Sequence, residues 1–311
     1  MSFHVSTLNL TNEISEAVHQ VHRELFAAPV PRDLNYYTRA STVVDIVESR
    51  SVWATCVRDQ RDDKSEITHT AELVSKLAEE ISSSEISAFA ADVLRRLPCF
   101  MEERRRWMFI ACFCENQGSA VHWERFGNYC LTFSAPSTGI PSLALLGPNS
   151  DCWFQRVVYD EGLQRDAVDR ALRAVVLAIS QNTAGVNEGP WAPSMVDSCA
   201  RNAAQLMLGM AAGFKRHSFH DEREWRIVCS PCLATNSTAP NSIDEDFSVN
   251  VKTDKLRHVL LRIHQTDALF QPLLTPPVPF LGWSHNPAHN DIQEIDAIRN
   301  ALSANDRPDL V

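Results

Sequence analysis

Trp107-Met-Phe-Ile-Ala-Cys-Phe-Cys114 runs eight residues without a charge or a breaker. A run of this kind marks a β-strand covered on both faces, because a strand with one wet face alternates apolar and polar residues. A chain that contains it must supply a layer of side chains on each side. At 311 residues, with 44% hydrophobic and 22% charged side chains, this one has the material for a sizeable core.

The flanking segments alternate between the two periodicities. Residues 12–26 carry a helical pattern that Pro29 and Pro31 break, and Leu34 to Thr38 then reads as a short strand. A helix over 41–49 places Val43, Val44, Ile46 and Val47 on one side, with Ser51 to Thr55 as a second strand. Helical spacing recurs over 66–81 and again through Ile86, Phe89, Val93 and Leu97. Ser82 to Ser84 are expected to cap the second of these helices and Pro98 to stop it.

Beyond the apolar run, 115–127 reads as a polar loop or short helix, and Asn128 to Ser134 and Trp153 to Tyr159 read as strands. Helices over 163–181 and 194–211 are separated by a Gly/Pro-bearing loop at 185–193. Ser230 to Glu245 reads as a loop, Lys255 to His264 as a last strand, 272–279 as a Pro-rich segment and 291–302 as a terminal helix. The mixture, with no internal repeat, predicts an α+β fold.

Charge and composition narrow the function. A formal charge of −10 argues against a phosphate-seeking surface for nucleic acid, which needs clustered Lys and Arg. The N-terminus has no basic start before an apolar run, and no window approaches the roughly 18 apolar residues of a membrane span, so a soluble, cytoplasmic protein without a membrane partner is expected. Nine cysteines, several inside apolar runs, read as reduced thiols rather than a disulfide scaffold. None of the ten glycines falls in phosphate-loop or dinucleotide-fold spacing, which disfavours a P-loop NTPase or a Rossmann dehydrogenase.

The stretch Phe219-His-Asp-Glu-Arg-Glu-Trp-Arg-Ile-Val228 sets a charged cluster against residues suited to a buried strand. Read as a strand from Glu222, it turns Glu222, Glu224 and Arg226 to one face and Trp225 and Ile227 to the other. Either the glutamates pair with Arg223 and Arg226 on a solvated face, or two repelling carboxylates line a cleft and divide labour between stabilising charge and accepting a proton.

Four segments carry a resemblance. They are Tyr36 to Thr55 (YYTRASTVVDIVESRSVWAT), Arg61 to Glu66 (RDDKSE), Phe109 to Cys114 with Trp123 to Gly127 (WERFG), and Phe214 to Val228, in which Phe-Lys precedes Glu-x-Glu-Trp-Arg. In this order, over residues 34–265, they resemble the mostly bacterial family of domain of unknown function 2971. That family in turn resembles the ADP-ribosyltransferase superfold.

The resemblance implies a mixed, split, curved β-sheet like the ADP-ribosyltransferase core, with helical insertions at 66–97 and 163–211. It implies NAD as a substrate, no metal, and an acceptor of ADP-ribose that is a protein, nucleic acid or metabolite. Glu224 would stabilise the ribose cation and Glu222 would orient or deprotonate the acceptor. Tyr36, Tyr37 and Thr38 match the first motif, with Tyr36 standing where the family usually has His. Trp123 and Phe126 would stack on nicotinamide, and Lys215 with Arg216 would neutralise the pyrophosphate. A role as bacterial toxin or defence factor is associated with the wider superfold.

The residues by themselves leave plainer roles open. Alternation sets Tyr37 opposite Tyr36 and Thr38, so at least one tyrosine belongs to the core, and Tyr37 is expected there. Thr38 can cap the following helix, and the spacing of Trp123 and Phe126 suits a helix burying an apolar edge. Asp62, Asp63 and Glu66 suit the first turn of a helix. Lys215 and Arg216 also read as solvated loop charges. Cys229-Ser-Pro-Cys232 is half a zinc site without a clear second half, and His217, His220, Asp221 and Glu222 lack a helical metal-binding spacing.

The sequence therefore predicts an N-terminal helical extension over 1–32, an ADP-ribosyltransferase-like domain over 33–265, and a Pro-rich segment with a C-terminal helix over 266–311. The expected activity is NAD cleavage with transfer of ADP-ribose. Its alternatives are a non-catalytic binding or sensing module on the same scaffold, and a metal-dependent hydrolase built on His217 to Glu222.

Overall fold

The computed structural model of the protein describes residues 7–29, 31–49, 51–57, 64–105, 108–118, 120–134, 151–183, 191–230, 258–262, 280–289 and 291–304. Along the chain come α1 (Thr7–Phe26), β1 (Asp33–Thr38), α2 (Ala40–Ser49), β2 (Ser51–Cys56), α3 (Lys64–Ser82), α4 (Ala88–Arg105), β3 (Phe109–Cys114), α5 (Ala120–Phe126) and β4 (Tyr129–Ser134). Then follow β5 (Asp151–Arg156), α6 (Glu161–Thr183), α7 (Pro193–Ala211), a 3₁₀ turn at His217–Glu222, β6 (Glu224–Ser230), β7 (His258–Arg262), β8 (Phe280–His285) and α8 (Ile292–Ala304). The expected α+β composition holds. No helix among the described residues is long and apolar enough to cross a membrane.

The chain divides into two compact units, each assembled from separated stretches. One comprises residues 1–27, 57–108 and 158–219 and holds α1, α3, α4, α6 and α7. Its core forms because each helix repeats apolar residues at three- and four-residue intervals, as Leu10, Ile14, Val18 and Val21 do on α1 and Val168, Leu172, Val175 and Ile179 on α6. Small side chains on α7, Ala200, Ala203 and Ala204, let its backbone approach α1 and α4 closely.

Two expectations fail in this unit. Pro98 lies inside α4 instead of ending it. Proline there forgoes one backbone hydrogen bond at about 3 kcal/mol, but Leu94, Leu97, Phe100 and Met101 bury the same helix on both sides of it, and packing outweighs propensity. The cap of α4 is not the Ser82 to Ser84 run, whose hydroxyls bond back to carbonyls at the end of α3. It is Ser87, whose Oγ accepts from the Ala90 N–H at 3.2 Å.

The second unit comprises residues 28–56, 109–157 and 220–311 and holds the eight strands found among the described residues, with α2, α5 and α8. The strands form one sheet in the order β5-β6-β3-β1-β4-β8, with β2 also on β3 and β7 on β2. Every pairing between these strands is antiparallel, so the expected mixture of strand directions is absent.

The apolar run sits where its composition requires. On one side β3 pairs with β6 from Phe109↔Cys229 to Cys114↔Glu224. On the other it is shared: β1 meets its far end at Asn35↔Cys114, and β2 meets its near end at Thr55↔Ile110 and Cys56↔Phe109. The sheet thus forks beside β3.

Its two faces differ sharply. One carries Leu34, Phe113, Leu131, Phe133 and Trp225 in an apolar core completed by Val43 and Ile46 of α2 and Ile295, Ile298 and Leu302 of α8. Trp225 stacks on Phe154 with centroids 4.9 Å apart, a burial worth on the order of 2–3 kcal/mol over exposure. The other face carries Asn35, Tyr37, Cys114, Cys130, Glu224 and Arg226, all buried. A buried polar sheet face is costly unless its groups are paired, which makes it the part of this unit to examine for chemistry.

Candidate functional site

Strand β6 begins at Glu224, so Glu222 is not on the strand as expected but ends the 3₁₀ turn before it. Between them Arg223 takes φ 43°, a left-handed conformation that an L-residue with a side chain adopts at a cost of about 1–2 kcal/mol. The kink lets two carboxylates separated by one residue reach the interior from different elements. Neither stays in water: Glu222 is 2% exposed and Glu224 3%.

Each carboxylate has its own guanidinium. Arg226, two residues along β6 and on the same face, donates from Nη2 to Glu224 Oε2 at 2.9 Å, and its side chain is as buried as its partner's. Glu222 Oε1 accepts from Arg125 Nη1 at 2.5 Å, but the Arg125 side chain is 44% exposed. Charges on a solvated strand face would pair loosely. Here desolvation makes each pair obligatory, since a buried carboxylate deprived of its partner is strongly destabilising.

Helix α5 supplies the second layer of the site. His122 and Trp123 turn inward while Val121, Glu124 and Arg125 stay exposed. His122 stacks on Tyr37 at 4.8 Å, Trp123 meets the same ring edge-on at 4.7 Å, and Phe126 packs against the cluster partly buried. His122 Nε2 lies 3.1 Å from the carbonyl oxygen of Glu222. A carbonyl only accepts, so Nε2 carries the proton. Burial holds the His122 pKa below its ordinary value, although the Glu222 carbonyl and carboxylate pull the other way. The ring is therefore a neutral donor at physiological pH that ties α5 to the residue before the kink.

Asn35 closes the fork. Its Nδ2 donates to the carbonyls of Cys114 at 3.3 Å and Glu115 at 3.2 Å, and its Oδ1 accepts from Thr132 Oγ1 at 3.0 Å. Tyr37 donates from its hydroxyl to the Asn116 carbonyl at 2.8 Å, and Trp225 Nε1 donates to Glu115 Oε1 at 2.8 Å. The thiols of Cys114 and Cys130 are pushed up by burial, Cys130 to about 12, so both are protonated and serve as packing.

The structure distributes the expected site residues unevenly. Tyr37, Trp123, Phe126, Glu222 and Glu224 belong to one layer. Tyr36 does not: it packs against the apolar core, tilted on Phe113 at 5.7 Å, with its hydroxyl pKa pushed up to about 12 by burial. Tyr37, expected in the core, is buried in a smaller apolar cluster with Cys114, Trp123 and Cys130, while Tyr36, partly buried, packs against the larger one. Thr38 falls on the Tyr36 side by alternation, and its carbonyl lies where a Cβ on Gly127 would stand, 2.4 Å away.

Lys215 belongs to the helical unit, where its ammonium sits over the Phe219 ring at 5.0 Å and its carbonyl accepts from Gln164 Nε2 at 2.8 Å. Asp62, Asp63 and Cys232 lie outside the described residues, and Glu66 falls in the first turn of α3. His220 pairs with Asp221 at 3.1 Å, and no group of three or more His, Cys, Asp or Glu among the described residues is placed to hold a metal.

No family model, curated protein or solved structure matches the chain. The chemistry of the site rests on its own residues, three of which sequence reasoning passed over. His122 and Arg125 stand three apart in the same short helix as Trp123, a spacing that puts both against one neighbouring segment. Glu115 follows the apolar run directly and marks where β3 leaves the sheet. All three are ordinary surface types until the fold brings Glu222 and Trp225 beside them.

Proposed function

We propose that this chain is an ADP-ribosyltransferase-like protein that cleaves NAD⁺ and passes ADP-ribose to an acceptor, with Glu224 as the carboxylate that stabilises the ribose cation. The observation that carries this reading is the row Asn35, Cys114 and Glu224 across β1, β3 and β6. Beside this row Tyr37 of the first motif shares one buried polar face of the forked sheet with Glu224 of the last, and the aromatic rings of α5 pack on Tyr37. The resemblance of the four motifs supports the same reading.

The reaction makes few demands. The bond between ribose C1′ and nicotinamide N1 breaks with its electron pair going to N1, so the leaving group departs neutral and needs no acid. Positive charge develops across C1′ and the ring oxygen, and a carboxylate held in a low-dielectric site stabilises it far more than one in water. The acceptor atom then bonds to C1′ and loses its proton, which Glu222 receives. Tyr36 has no part in this scheme, and Tyr37 with Trp123 forms the aromatic wall.

One observation favours a second reading, a binding module without catalysis: Glu224 is already neutralised by Arg226, and the tyrosine standing where the resembled family has His faces the core. Incubation with NAD⁺ labelled in the adenosine moiety separates the two. Nicotinamide release and label transfer by the natural protein, lost in Glu224→Gln, is the expected result. Background release by both proteins, with NAD⁺ still bound, would instead establish the binding module.

A further inference from the structure

We infer that His122 is a positioning residue for the carboxylate pair: its hydrogen bond to the Glu222 carbonyl fixes the left-handed turn at Arg223, and with it the placing of Glu222 against Glu224. The bearing of that turn on catalysis rests on the function proposed above.

Three successive carbonyls cross the kink, and each accepts from a different element. Glu224 O accepts from the Val157 N–H past the end of β5 at 2.9 Å, and Arg223 O from the Glu115 N–H past the end of β3 at 3.2 Å. Glu222 O accepts from His122 Nε2 of α5 at 3.1 Å. The first two donors are main chain at the margin of the sheet, so they hold the kink from its strand side. The imidazole holds it from the side of the 3₁₀ turn, which Glu222 ends. Rotation about the N–Cα bond of Arg223 swings these two sides against each other. At φ 43° that bond sits in a region costly for a residue with a side chain, so rotation toward negative φ relieves strain unless both sides are held.

The ring is fixed in plane and in tautomer. It is 0% exposed and stacks on Tyr37 with centroids 4.8 Å apart and planes 16° from parallel. Nδ1 is buried and has no hydrogen-bond partner among the described residues. A proton there would go unmatched while the Glu222 carbonyl lost its donor, so the proton stays on Nε2. One buried acceptor left unmatched offsets part of what one hydrogen bond contributes, so the ring adds little to stability by its polar atoms. What it does add is direction.

Arg125, three residues further along α5, also grips Glu222, but at the carboxylate. Three side-chain torsions separate that carboxylate from the Glu222 backbone, so an ion pair there tolerates a backbone rotation that a bond to the carbonyl does not. Positioning of the turn therefore falls to His122.

His122→Phe and His122→Gln separate the bond from the stack. Phenylalanine keeps a ring against Tyr37 and donates nothing, whereas glutamine gives up the ring and keeps an N–H donor. Hydrogen exchange of the full chain, followed by mass spectrometry without ligand, reads the turn directly. Peptides covering residues 219–226 should exchange about tenfold faster in His122→Phe than in the natural protein, and His122→Gln should return them most of the way. Peptides of the helical unit should not change in either. With NAD⁺, His122→Phe should lower kcat for nicotinamide release by about a hundredfold with little change in KM, and His122→Gln should recover most of that loss.

Exchange at the turn that His122→Phe leaves unmoved, or that both variants raise equally, overturns the assignment. Should the phenylalanine variant not fold, His122→Leu, smaller and equally without a donor, takes its place under the same criteria. Faster exchange at the turn in a protein whose natural form does not cleave NAD⁺ defeats the proposed reaction and leaves the positioning role standing. Cleavage with a kcat indifferent to His122→Phe does the reverse.

Discussion

Arg226 and Glu224, two residues apart on one strand, form a 2.9 Å ion pair with both side chains removed from water. The pair is a structural device before it is a chemical one. Its stability depends on completeness, because the attraction only offsets what desolvation of the two charges costs.

Removing one partner should therefore be far worse than removing both. Arg226→Ala is expected to destabilise by about 3–5 kcal/mol, while Glu224→Leu with Arg226→Met is expected to recover most of that loss. Urea unfolding monitored by tryptophan fluorescence measures the difference. A double variant no more stable than Arg226→Ala would show that the pair is not the reason these residues tolerate burial.

His122 makes stability depend on pH. Burial holds its folded pKa below the unfolded value of about 6.5, so the unfolded chain binds the proton more readily. Its contribution is complete above about pH 6.5 and is lost as the pH falls below that value. His19 in the helical unit is depressed by burial in the same sense, so the comparison must be between proteins. In buffers of matched ionic strength, His122→Gln, which keeps a donor for the Glu222 carbonyl, should lose less stability between about pH 7 and pH 5 than the natural protein. Parallel pH profiles would refute the assignment.

Gly127 has φ +130°, and a Cβ there would stand 2.4 Å from the Thr38 carbonyl oxygen. The obstacle is backbone of β1 and cannot swing aside. Gly127→Ala is expected to cost at least about 2 kcal/mol, in contrast to the gain such a change brings at a compatible site. Gly118, also at positive φ but with open space around it, is the control: Gly118→Ala carries the conformational penalty alone and should cost less.

At Arg223 the opposite substitution is informative. Its φ of 43° suits glycine, so Arg223→Gly should leave stability unchanged or raise it by up to about 1 kcal/mol, whereas Arg223→Val should lower it by more than about 1 kcal/mol. Thermal unfolding of the two variants side by side tests whether the kink is an intrinsic strain. Equal effects would place the cost elsewhere.

How far these features could be read in advance follows from the range of the forces involved. The strand character of Phe109 to Cys114, the helices, and the opposite faces of Trp225 and Glu224 rest on spacing within a few residues, and each was legible in the chain. Pro98 was misread because its local cost is outweighed by apolar partners on other helices. The start of β6 was misread for a similar reason: nothing in Glu222-Arg-Glu224 shows that one residue turns left-handed there, since the partners on either side of it, His122 at the Glu222 carbonyl and Glu115 at the Arg223 carbonyl, come from distant parts of the chain.

Alternation established that Tyr36 and Tyr37 must part company, and that Glu224 and Arg226 must share a side. It was silent on which side each would meet. That choice fell to the packing of α2 and α8 on one face and α5 on the other, because burial and the pairing of charges depend on neighbours that only the assembled sheet brings within reach.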